Sequence, residues 1–193
     1  MKRRVFAPEL RRGTRLIEKL CKGSLSILLA LVLQPIPVHA HSASDAYLNL
    51  RVDNGNRSGK VVVHGQWDIA LRDLDFVLKL DDDGDGRLTW GEVRRHQSAI
   101  EHYAYSFLDF NGGADNSCAI HPIQQLVGNH ADGAYAVLIF DVTCARAPAK
   151  LTLGYRLFFA IDPSHRGIFV MHNGANTATA VLSPQNATID LPL

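Results

Sequence analysis

The sequence predicts a mainly β domain carrying one helical insertion, and three observations point there. Short runs of alternating apolar and polar residues recur along the chain, separated by Gly, Pro, Asp and Asn. One stretch near the middle, residues 68–110, changes to a helical period. Cys118 and Cys144 sit in two strand-like runs that flank a turn. An antiparallel, Ig-like β-sandwich with a helix–loop–helix inserted at about 68–110 satisfies all three. No internal repeat or long linker appears, so residues 41–193 are expected to form one domain.

Residues 46–52 (AYLNLRV) alternate as a half-buried strand does, and residues 60–66 (KVVVHGQ) follow after the turn-forming 53–59. From 68 to 80 the apolar residues Leu71, Leu74, Val77 and Leu78 fall at helical spacing. Beyond an aspartate-rich loop, Trp90, Val93, Ile100, Ala104, Phe107 and Leu108 do the same, and Gly112-Gly113 stops that second helix. The runs 117–127, 133–144, 150–161, 167–172 and 177–183 read as strands, making about seven in all. The hairpin 118–127/133–144 turns through Asn129-His130-Ala131-Asp132-Gly133. If it is centred on Ala131, Cys118 and Cys144 are equidistant from the turn and face each other. A disulfide there would close a long loop, worth roughly 3 kcal/mol.

Charge divides the chain in two. The formal total is +1 from 20 Lys+Arg and 19 Asp+Glu, yet residues 1–40 hold 8 basic and 2 acidic residues, leaving 12 and 17 for 41–193. The near-neutral total argues against a nucleic-acid-binding domain, which would be expected to be strongly basic. The basic start, the apolar run LSILLALVL at 25–33 and the small-residue end at Val38-His39-Ala40 have the signature of a secretory signal peptide, with an uncleaved membrane anchor as the alternative. That run is far shorter than the ~20 residues of a spanning helix. The expectation is therefore cleavage after Ala40, a mature start near His41, and a periplasmic or secreted protein in a compartment that permits disulfides.

The strongest motif is Asp81-Asp82-Asp83-Gly84-Asp85-Gly86-Arg87-Leu88-Thr89-Trp90-Gly91-Glu92. It matches the EF-hand loop at every ligand position. Calcium takes six to eight hard oxygens, and Asp81, Asp83 and Asp85 supply carboxylates at loop positions 1, 3 and 5. Gly86 permits the sharp turn at position 6, Arg87 offers its carbonyl at position 7, Thr89 ligates directly or through water at 9, and Glu92 closes the site at 12. Ca2+ is the expected cofactor. No second complete loop is present: the run from Asp109 to Ile120 has no Glu where the last ligand is required. A lone loop in an exported protein reads as structural rather than signalling.

Other candidates are weaker. His41, once exposed by cleavage, would offer an amine and an imidazole to copper or nickel, with His64, His121 or His165 as further ligands; a transition-metal accessory protein is thus the alternative to the calcium-binding one. Asp162-Pro163-Ser164-His165-Arg166-Gly167 gathers hydrolase-like residue types, but a Ser adjacent to a His does not by that adjacency form a nucleophile–base pair, and the segment reads as a turn. With no G-x-S-x-G, P-loop, C-x-x-C or H-E-x-x-H, the chain is expected not to be an enzyme.

Ser44-Asp45-Ala46-Tyr47-Leu48, Gly65-Gln66-Trp67-Asp68-Ile69-Ala70-Leu71-Arg72-Asp73-Leu74-Asp75, the acidic loop ending Thr89-Trp90-Gly91-Glu92, Tyr155-Arg156-Leu157-Phe158-Phe159 and Asp162-Pro163-Ser164-His165-Arg166-Gly167 follow one another along the chain. Together they resemble the exported N-terminal region of bacterial HupE/UreJ-type membrane proteins. The resemblance implies hydrogenase- or urease-accessory roles, nickel transport by a polytopic membrane domain, and a membrane-protein partner. No counterpart of that membrane domain lies within residues 1–193.

Overall fold

The computed structural model describes residues 44–53, 61–148 and 150–193. The expected leader, His41 and the 54–59 turn lie outside them. The chain divides into two units, Met1–His41 and Ser42–Leu193, and every element below belongs to the second. Strands β1 (Asp45–Asp53) and β2 (Val62–Ala70) are followed by helices α1 (Leu71–Leu78), α2 (Trp90–Arg95) and α3 (Gln97–Tyr105). Then come β3 (Leu108–Asn111), β4 (Cys118–His130), β5 (Gly133–Cys144), β6 (Lys150–Tyr155), β7 (Arg166–Asn173), β8 (Asn176–Leu182) and β9 (Thr188–Pro192). The protein is mainly β, as the alternating runs predict.

Two sheets form: β4-β5-β2-β1-β7-β8, and β3-β6-β9. The smaller sheet is antiparallel, but the larger is mixed, because β1 pairs in parallel with β7 while pairing antiparallel with β2. This corrects the all-antiparallel expectation. Parallel neighbours need a long crossover rather than a hairpin, and everything from β2 to β6 lies between these two strands. Leu48 and Leu50 of β1, Trp67 of β2, Phe140 of β5 and Phe169 of β7 share one buried cluster with Leu151 and Leu153 of β6 and Leu191 of β9. Trp67 meets the Tyr155 ring edge-on at 5.6 Å, and Phe110 lies 6.3 Å from Phe140. Both contacts join one sheet to the other, and each fully buried Leu or Phe contributes roughly 2 kcal/mol. Gly65 is required beneath Phe140, because any Cβ there would run into that ring.

The helical insertion is shorter and more broken than its periodicity predicts. Residues 68–70 belong to β2, since the ladder with β5 runs on from Asp68↔Val137 to Ala70↔Tyr135; tertiary pairing overrides local period there. The second helix is two helices divided at His96, and Leu108 already starts β3. Leu74, Leu80, Val93, Ile100 and Ala104 are all buried in the common core, so the insertion packs on the sheets. The predicted strand 150–161 stops at Tyr155, after which Phe158 adopts a left-handed conformation (φ 59°) in a turn. The short strands β3 and β9 bring the total among the described residues to nine.

Cys118 and Cys144 are paired as a disulfide across a separation of 26 residues and face each other in the β4–β5 ladder. The path to that register differs from the symmetric hairpin. The turn has two residues, Ala131 and Asp132, between His130 and Gly133, and alone it would set residue 118 opposite 145. A bulge between Pro122 and Gln124 takes Ile123 out of the ladder and restores Cys118 to Cys144.

Candidate metal centre

The acidic loop is held at both ends before any of its ligands is considered. At its entrance Lys79 adopts the left-handed conformation (φ 55°) and donates its N–H to the Asp75 carbonyl at 2.9 Å. The Asp75 carboxylate then accepts from the N–H groups of Leu80 (2.7 Å) and Asp81 (3.1 Å), satisfying donors where the helix has ended. Leu80, fully buried, pins the entrance to the core. At the exit Thr89 and Glu92 form a capping box on α2. Thr89 accepts from the Glu92 N–H at 3.3 Å, while Glu92 Oε2 accepts from the Thr89 N–H at 2.8 Å and its hydroxyl at 2.7 Å. Buried Val93 anchors the leaving helix.

Between these anchors the backbone wraps around carboxylates. Asp81 accepts from the N–H groups of Gly84 and Gly86, both at 2.8 Å, and both glycines have positive φ (71° and 79°). Asp83 accepts from Asp85 N–H at 3.2 Å, and Asp85 from Arg87 N–H at 2.8 Å. One oxygen each from Asp81, Asp83 and Asp85 lies within 4.8 Å of the others. Two oxygens bound to one Ca2+ at about 2.3–2.6 Å stand at most ~5 Å apart, so this spacing suits a shared ion.

Electrostatics inside the loop are uneven. Hydrogen bonds, above all from Gly86, lower the Asp81 carboxyl. At Asp83 the Asp85 N–H acts in the same direction, but the charge of Asp85, desolvation and the charge of Glu92 outweigh it, and the carboxyl is raised. Crowded negative charge thus resists ionisation at the middle ligand, a strain that a cation would relieve. Asp82 turns away from the cluster: His96 and Arg95 bind its two oxygens, each at 2.8 Å, and hold its carboxyl down.

Of the four ligand carboxylates read from the spacing, the structure brings three, those of Asp81, Asp83 and Asp85, within 4.8 Å of one another. Glu92 is not in that group. It is 2% exposed, Thr89 occupies Oε2, and Oε1 accepts from the Asp82 N–H at 3.1 Å, bonds that lower its carboxyl. Thr89 is engaged with Glu92, and Arg87 presents its N–H to Asp85. The spacing alone did not single out Asp75, Arg95 and His96 as supports. The Thr-x-x-Glu spacing of 89 and 92 is the signal from which the capping box could have been read.

The other candidates disperse. His165 is fully buried between Tyr155 Oη and Ser44 Oγ, each at 2.7 Å, and Ser44 donates to Asp73 at 2.9 Å. Because the Ser44 proton goes to Asp73, His165 Nδ1–H donates to Ser44 and Nε2 accepts from Tyr155. Burial drives the His165 pKa down to about 4, so this imidazole is neutral and enclosed, unsuited to an external metal. Ser164 bonds Asp162 at 2.6 Å instead of a base. Neither the family models nor the curated proteins compared with this chain give a match, and the chemistry of the loop is therefore read from its own residues.

Proposed function

We propose that this is an exported, non-catalytic accessory domain whose single EF-hand binds Ca2+ through Asp81, Asp83, Asp85, the Arg87 carbonyl, Thr89 and Glu92. The observation that carries the reading is the convergence of three carboxylates within 4.8 Å at positions 1, 3 and 5 of the loop. In this reading Glu92 exchanges its Thr89 bonds for the ion, so calcium tightens a loop already closed by a capping box. The two sheets around one core support a β-sandwich of Ig-like kind, and the insertion packed on that core supports a stabilising rather than a sensing role. The Cys118–Cys144 pair agrees with an oxidising compartment, and among the described residues no helix is long and apolar enough to cross a membrane. The HupE/UreJ resemblance rests on the residues quoted above and supports a membrane-protein partner.

Thermal unfolding with excess calcium or excess chelator tests the proposal. Calcium should raise the melting temperature, because a ligand that binds only the folded state stabilises it. The Asp81→Ala/Glu92→Ala double variant should lose the increase. A calcium-dependent shift of wild-type size in that variant would overturn the assignment.

A further inference from the structure

Among the described residues the two sheets end in β4 and β8 on the large one and in β3 and β9 on the small one. An edge strand offers a row of N–H and C=O groups to any other strand, and proteins blunt it with short length, charge, proline or a bulge. Strand β3 has 4 residues, β9 carries Asp190 in an ion pair with Lys150, and β4 holds Pro122 and the bulge at Ile123. Strand β8 (NTATAVL) has none of these devices: it is uncharged, free of proline, and its ladder with β7 is regular.

Which backbone groups of β8 face outward follows from the turns at its ends. Asn173 and Asn176 close a hairpin through Gly174-Ala175, and the residues that close such a loop bond to each other. Asn176, Ala178, Ala180 and Leu182 therefore bond to β7, and Thr177, Thr179 and Val181 point their N–H and C=O groups away from it. Two further bonds agree. The Arg166 N–H donates to the Ser44 carbonyl at 3.0 Å, so the even residues of β7 face β1 and the odd ones face β8. Ser183, next in the outward series, exchanges N–H···O bonds with Asn186 at 3.2 and 2.9 Å, and Asn186 Nδ2 donates to the Val181 carbonyl at 3.2 Å.

We propose that this edge pairs with β8 of a second copy of the chain, antiparallel about a two-fold axis at Thr179. Thr179 then faces Thr179, and Thr177 of each copy faces Val181 of the other; each pair exchanges both N–H···O bonds. The Val181 carbonyl keeps its Asn186 bond, since the oxygen has two lone pairs. The register is fixed from both sides. Centring one residue further on would set Thr177 against Ser183, which Asn186 occupies, and centring one residue back would leave Val181 opposite Ala175 in the other copy's loop. Charge favours a like chain at this edge and at no charged one. Residues 41–193 hold 12 basic and 17 acidic residues, so two copies repel, yet residues 167–189 contain no Asp, Glu, Lys or Arg. Two copies meet there with no like charges opposed, and the pairing covers Val181, which stands 53% exposed.

Sedimentation velocity of the untagged chain across a range of protein concentrations tests this, and a monomer–dimer equilibrium is expected. Thr179→Pro removes one donor from each copy and Thr179→Lys sets like charges opposite each other; each should raise the dimer dissociation constant roughly tenfold. Gln124→Lys on β4 should leave it unchanged. Thr179 is exposed and its N–H lies on the side that β7 does not use, so these variants should fold. Cross-linking in a Cys21→Ser background reads the register. Residues that face each other in a bonded pair are ~5.5 Å apart at Cα, within disulfide reach, so Thr179→Cys should form an intermolecular disulfide and Thr177→Cys should not. A wild-type chain that stays monomeric up to about 1 mM, a dimer indifferent to both Thr179 variants, or cross-linking by Thr177→Cys in preference to Thr179→Cys would overturn the proposal. The calcium-dependent melting shift should persist in every variant, which separates failure here from failure of the EF-hand.

Discussion

The acidic loop and the His64–Asp141 pair on the large sheet are two ways of bringing polar side chains together. The loop does it with consecutive residues, 81 to 92, whose own backbone N–H groups bind the carboxylates. The sheet does it with strands far apart in sequence: His64 and Asp141 are 77 residues apart and meet only because β2 lies beside β5. A site of the first kind is written in spacing. A site of the second kind is written in register, and register depends on every turn and bulge between its members.

The sharpest way to break the comparison is to disturb register while leaving the loop intact. Replacing Cys118 and Cys144 by Ala should cost roughly 3 kcal/mol, as expected for a 26-residue closed loop, read as a lower urea midpoint. It should leave the calcium-dependent melting shift in place. Loss of the calcium response instead would mean that the two regions are not independent.

Acid tests the core. With a folded pKa of about 4 against an ordinary value near 6.5, His165 binds its proton more readily when unfolded. Its contribution is complete above pH 6.5 and is lost as pH falls from there towards 4, up to roughly 3 kcal/mol. His165→Gln should flatten stability across that window in urea titrations at fixed pH. A wild-type slope in the variant would place the sensitivity elsewhere.

A smaller effect belongs to the loop's exit. Thr89→Ala removes the N-cap and should destabilise the calcium-free protein by about 1 kcal/mol, with a several-fold loss of calcium affinity. Smallest is Arg95→Ala. Its ion pair with Asp82 lies on the surface, and melting should move by less than ~3 °C.

The same contrast explains what the sequence reveals. The loop, its glycines and the flanking apolar residues are legible because each obeys a local rule. The β4–β5 hairpin and its disulfide are legible because a turn lies between two long runs. The parallel partnership of β1 with β7 is not, since alternation along one strand says nothing about which distant strand lies beside it. Strands β3 and β9 are too short for periodicity to register. The break at His96 and the early end of β6 reflect packing rather than propensity. Glu92 was legible as a loop member, but its second role, closing the box with Thr89, emerges only when its oxygens are located.

Ile123 gives the protein a tolerance that belongs to genetics as much as to mechanics. It is the one residue by which β4 exceeds the length that β5 can pair, and it projects outward, 59% exposed. Deleting it would leave a regular ladder with Cys118 still opposite Cys144 and His121 still opposite Asp141. Deleting a residue between Gln124 and the turn would demand that Ile123 fill the vacancy, reversing the faces of the residues between the bulge and the cut while Cys118 and His121 hold their partners. A single insertion in the same stretch, with Ile123 already spent, would part both pairs at once. The bulge is a spare letter, able to absorb one lost codon and no gained one.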